Sequence, residues 1–123
     1  MNKLLWVKDK EFCDDMPPRR LTRKGFDVVC AFNGGQAVEM AHSELPDLIL
    51  MHMDLPVKDG ETAIFEIKTS ETTRHIPIIA LTAHGIRSDK EKALKAGADE
   101  IQTKPIEFHH LLSKINRLLI ESS

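Results

Sequence analysis

The run Leu48–Ile49–Leu50–Met51 places four apolar residues in a row, opened by Pro46–Asp47 and closed by a polar turn that reaches Gly60. It falls far short of the roughly 18 apolar residues that a membrane-spanning helix needs. A run this short and dense suits a strand covered on both faces, as in a parallel sheet under helices. Three similar runs occur: Leu4–Val7, Phe26–Ala31 centred on Val28, Val29 and Cys30, and Ile76–Leu81, with Pro77 near its start. Asp99–Thr103 is a fifth, weaker candidate.

Between these runs the pattern turns helical. Pro17 and Pro18 are tolerable only in a first turn, where the missing N–H groups have no partner anyway. The first helix is therefore predicted from Met16 to Lys24, with Gly25 as its stop. Asn33–Gly34–Gly35 is read as a break before a helix over Gln36–Ser43. Glu61–Lys68 follows, then a helix N-capped by Ser88 and running to Ala96. The last helix carries Phe108, Leu111, Leu112, Ile115, Leu118 and Leu119 on one stripe.

Strict alternation of five strands and five helices implies right-handed crossovers and a parallel sheet covered on both sides. The expected fold is α/β, a flavodoxin-like (βα)5 domain over residues 1–123 with strand order 2-1-3-4-5. In such sheets chemistry sits at the carboxyl ends of the central strands. That order brings Lys8 and Asp9, after strand 1, against His52 at the end of strand 3.

Composition narrows the function. The length of 123 residues suits one core, and a net charge of -2 gives no case for nucleic acid or an anionic membrane. The first eight residues lack the long apolar stretch of a signal peptide. The two cysteines, Cys13 and Cys30, read as reduced thiols in a cytoplasmic protein. Strand 1 leads into no glycine-rich phosphate loop, and no nucleophile–base pair stands out, so the chain is not read as an enzyme.

Several segments in order resemble the receiver domain of bacterial two-component response regulators. They are Leu4–Asp9, Pro46–Leu50 through Leu55–Pro56 and Asp59–Gly60, Ile76–Ala83, Ala96–Asp99 and Thr103–Lys104–Pro105. The resemblance implies a pocket in which an aspartate after strand 3 accepts a phosphoryl group from a histidine kinase. An acid pair after strand 1 would hold magnesium. Thr82 and Lys104 match the family's phosphoryl-contacting hydroxyl and lysine, and Asp9 matches the second acid. The resemblance also implies a cis bond between Lys104 and Pro105.

Three positions depart from that pattern: His52 stands at the phosphoacceptor position, Lys8 at the first acid, and Ile101 at an aromatic switch position. The family pocket sets two acids and the acceptor aspartate against one lysine, a net of -2. Here Asp9 faces Lys8 and Lys104, a net of +1 with His52 neutral. Magnesium requires octahedral oxygen ligands. One unit pair about 4 Å apart is worth roughly 4 kcal/mol at an effective dielectric of about 20, so exchanging attraction for repulsion disfavours the ion. The expectation is a pseudo-receiver with no cofactor and an empty magnesium position at Asp9, acting through protein contacts. The alternative is a working receiver that uses Asp54 or His52 as acceptor. Expected partners are a histidine kinase or output protein, or a second copy meeting the face of helix 4, strand 5 and helix 5. Ile86, Arg87, Lys90, Lys95 and Ile101 would line that face.

Overall fold

The computed structural model describes residues 2–8, 16–53, 55, 57–82, 87–104 and 106–122. The strands are β1 (Lys3–Val7), β2 (Asp27–Ala31), β3 (Leu48–His52), β4 (Ile78–Thr82) and β5 (Glu100–Thr103). The helices are α1 (Met16–Arg23), α2 (Gly34–Glu44), α3 (Gly60–Thr69), α4 (Arg87–Ala96) and α5 (Phe108–Ser122). The strands form one parallel sheet in the order β2-β1-β3-β4-β5, as the alternation predicts.

Successive side chains of a strand face opposite ways, which divides each apolar run between two layers. Leu5, Val7, Ile49, Met51, Ile78 and Ala80 pack under α2, α3 and α4 with Ala37, Ala41, Ile64, Ile67 and Ala93. Leu4, Trp6, Leu48, Leu50, Ile79 and Leu81 pack on the other face with Leu21 of α1 and Phe108, Leu111 and Ile115 of α5. Burial of each Leu or Ile contributes about 1.5–3 kcal/mol, so both faces hold the sheet.

Some boundaries differ from the sequence expectation, each with a local cause. Helix α2 begins at Gly34, two residues early, because the Asn33 side chain accepts the Gln36 N–H at 2.7 Å. β2 ends at Ala31, before Asn33–Gly34–Gly35, as expected, while Gly34 is already a helical residue. A Cβ there would come within 1.8 Å of the Lys58 carbonyl oxygen, so the close approach of another chain segment demands glycine. Ser88 lies inside α4 and is not its N-cap. Ile76 and Pro77 precede β4, although the Pro77 carbonyl already accepts the Ile49 N–H at 2.9 Å. Asp99 precedes β5; its carboxylate accepts the Ile78 N–H and pairs with Lys68, both at 2.8 Å. Gly25 ends the first helical segment at φ +98, a conformation that favours glycine.

The expectation of two reduced thiols is corrected: Cys30 is disulfide-bonded. Its position in β2 points it at the face covered by α1 and α5. Cys13 lies outside the described residues.

Candidate functional site

The carboxyl edge of the sheet gathers the ends of β1, β3, β4 and β5, and with them Lys8, His52, Thr82 and Lys104. Register sets their relative depth: Val7 pairs with Met51, His52 with Leu81, and Thr82 with Thr103. Lys8 leaves β1 half-buried, and its N–H donates to the Ala31 carbonyl at 3.1 Å. The Lys104 N–H donates to the Thr82 carbonyl at 2.8 Å, which continues the β4–β5 pairing by one residue. Asp9, Asp54 and Pro105 lie outside the described residues, and so does the Lys104–Pro105 peptide bond.

His52 is the best-defined member. It is 4 % exposed. Its Nδ1 lies 2.7 Å from the Val7 carbonyl oxygen. A carbonyl can only accept, so Nδ1 carries a hydrogen and donates it. The ring also meets Trp6 edge to face, with centroids 5.0 Å apart and planes at 80°. His52 follows Leu48 and Leu50 at strand period, which places it on the α1–α5 face beside Trp6. An imidazole in this position braces two strands. Its Nδ1 is committed to a hydrogen bond and cannot act as nucleophile or ligand.

Thr82 is fully buried on the opposite face, and its Oγ1 has no hydrogen-bond partner among the described residues. Ile101 is half-buried and packs on the core under α2, α3 and α4. It is therefore a tucked residue more than an exposed anchor. Its carbonyl accepts the Lys114 ammonium at 2.6 Å. On the same side Lys95 is exposed and Lys90 half-buried, Leu94 is exposed, and Arg117 pairs with Glu100. Burial pushes the Glu100 carboxyl up, but hydrogen bonds from Arg117 and the Ile101 N–H hold it below its usual value. Ile86 lies outside the described residues.

The connection from β3 to α3 is closely held. Gly60 donates its N–H to the Met53 carbonyl at 3.0 Å, and a Cβ at Gly60 would fall 2.4 Å from the His52 carbonyl oxygen. Asp59 caps α3 by accepting the Thr62 N–H at 2.8 Å, and this bond lowers its pKa. Val57, 87 % exposed, has φ +68, a strained setting for a β-branched residue.

Magnesium requires an octahedral cage of oxygen ligands. Lys8 and His52 offer no side-chain oxygen at two of the family's three acid positions, and the third, Asp9, lies outside the described residues. Among the described residues no group of three or more His, Cys, Asp or Glu side chains is placed to hold a metal ion. Among them, too, no helix is long and apolar enough to cross a membrane. Sequence reasoning missed Trp6 as a site residue. The available signal was its place two residues before Lys8 on a strand that pairs with β3.

Comparison with known proteins points one way. The family profile described as "Response regulator receiver domain" matches residues 4–116. Hybrid signal transduction histidine kinase I of Dictyostelium discoideum is 39% identical over 121 residues, which is 93% of this chain and 7% of that protein. Response regulator PleD of Caulobacter vibrioides is 35% identical over 94% of this chain and 26% of its own length. The chain thus spans a small part of either relative. Among solved structures, the receiver domain of a Pseudomonas aeruginosa PAO1 sensor histidine kinase superposes with a TM-score of 0.88 at 35% identity, covering 96% of this chain and 97% of that one. That structure has a magnesium ion coordinated in its active-site cleft.

Proposed function

The chain belongs to the response regulator receiver domain family, and we propose that it serves two-component signalling as an interaction module that no longer accepts a phosphoryl group at the family position. The observation that carries this reading is the inward His52, buried against Trp6 with Nδ1–H bonded to the Val7 carbonyl. Phosphoryl transfer depends on positioning and on metal-assisted neutralisation of charge. A carboxylate acceptor supplies oxygens both as nucleophile and as metal ligand, and an imidazole whose Nδ1–H is bonded to the Val7 carbonyl supplies no oxygen for either role. Lys8 adds a cation where the family places an acid.

The module's partner is a histidine kinase or an output protein, met through its surface. A second copy of the chain is a further candidate partner for the face of α4, β5 and α5. On this reading Thr82 and Lys104 keep structural duties at the ends of β4 and β5. Asp9 is the one acid left of the family's set.

Incubation with excess acetyl phosphate and magnesium tests the proposal by intact mass. The expected spectrum is unchanged. A stoichiometric gain of one phosphoryl group, mapped to Asp54 or His52, overturns the reading in favour of a displaced acceptor.

A further inference from the structure

Helices α3 and α4 cover the same face of the sheet, and a groove of about 390 Å3 opens between them. Glu61, Thr62 and Phe65 line it from α3, and Lys95 and Ala96 from α4. At one end the helices are held together beside Lys68. A Cβ on Gly97, just after α4, would come within 2.9 Å of the Lys68 stem. Lys68 itself pairs with Asp99, and Glu66 with Lys58. The charges on the groove differ: Glu61, Lys92 and Lys95 have no ion-pair partner among the described residues. Glu61 and Phe65 are four apart and share one side of α3; Lys92 and Lys95 are three apart and share one side of α4. The hydrogen bonds from Thr62, and after them the Lys92 charge, hold the Asp59 carboxyl below its usual value, so Lys92 stands within electrostatic reach of the α3 wall. Phe65 is 56 % exposed. The groove thus has an acidic wall, a lysine wall and an open aromatic ring.

We propose that the α3–α4 groove docks a second copy of the chain, about a two-fold axis that runs along the groove. In a two-fold dimer the same patch meets itself, so the patch must be self-complementary. A face with acids on one wall and lysines on the other meets that condition about this axis. The rotation lays the acidic α3 wall of one protomer on the α4 lysine wall of its partner, and does so twice. It also brings the two Phe65 rings toward each other near the axis, as the apolar centre of the contact. An axis across the groove would instead set lysine on lysine and acid on acid. A partner of a single charge sign would match one wall and be repelled by the other. A second copy satisfies both walls with the residues already present. This face is distinct from that of α4, β5 and α5, and the proposal stands independently of the reading of His52.

The test is sedimentation equilibrium of the full chain over about 10 µM to 1 mM, the range in which small, weak interfaces dissociate. A monomer–dimer equilibrium is expected. Phe65→Ala should weaken it at least about tenfold, the loss expected of a central aromatic anchor. Glu61→Lys and Lys95→Glu each set like charges together at both contacts, so either variant alone should be monomeric. Mixed in equal amounts, the two should dimerise again, because each altered residue then meets its opposite. That recovery also shows that both variants are folded. Arg117→Ala, which removes the pair with Glu100 on the β5–α5 side, should leave the equilibrium unchanged. A monomer throughout the range, a dimer that Arg117→Ala abolishes and Phe65→Ala spares, or variants that stay monomeric when mixed would each overturn the proposal.

Discussion

Replacing His52 by Ala asks whether this side chain is a structural brace. The variant removes the donor to the Val7 carbonyl and the edge-to-face contact with Trp6. Leaving a buried carbonyl without its donor costs about 1–3 kcal/mol. Losing an aromatic pair costs about 0.5–1.5 kcal/mol beyond area burial. The combined loss is expected near 3 kcal/mol, before any cavity left around Trp6 is counted. At this length each kcal/mol lowers the melting temperature by about 3–5 °C, so a fall near 10 °C is expected. Urea unfolding at pH 7 gives the free energy directly, with an unchanged slope if the folded state stays compact. A double-mutant cycle with Trp6→Phe should return a coupling of about 0.5–1.5 kcal/mol. A loss under about 1 kcal/mol with no coupling would refute the argument, because it would place the ring at a solvated rim.

Three further outcomes follow from the neighbouring geometry. Val57→Asn should raise stability by about 1 kcal/mol in thermal melts, since asparagine tolerates the left-handed region that Val57 occupies at φ +68. Gly34→Ala should cost at least about 2–3 kcal/mol by urea unfolding, because its Cβ would meet backbone 1.8 Å away at Lys58. Asp59→Ala should cost about 1 kcal/mol at pH 7 through the lost N-cap of α3. The folded pKa of Asp59 is lowered by the Thr62 N–H, so its contribution is complete above the unfolded carboxylate value and fades as pH falls through the folded one. Wild type and Asp59→Ala should therefore converge in stability at the acid end of a pH series.

The strand pattern was legible because each apolar run is long enough to fill both faces of the sheet and too short for much else. The helices α3 and α5 were legible from their stripes. The start of α2 was not, because Gly34 owes its place to the Lys58 carbonyl, a contact distant in sequence. The start of β4 slipped because Ile76 and Pro77 are apolar and buried without belonging to the strand. Motif order located Lys8, His52, Thr82 and Lys104 at one edge of the sheet. It did not reveal that the His52 ring turns inward, since that orientation is decided by Trp6 and the Val7 carbonyl across the β1–β3 pairing. The bond at Cys30 was hidden for a related reason: spacing in sequence does not say which cysteines approach each other.

The central claim is that Lys8 and His52 remove the crevice's capacity for magnesium. Calorimetric titration of magnesium into the wild type and into the Lys8→Asp/His52→Asp double variant tests it most directly. The account predicts no saturable heat for the wild type up to about 10 mM and a saturable isotherm for the double variant, which regains two oxygen-ligand positions. Saturable submillimolar binding by the wild type would contradict it.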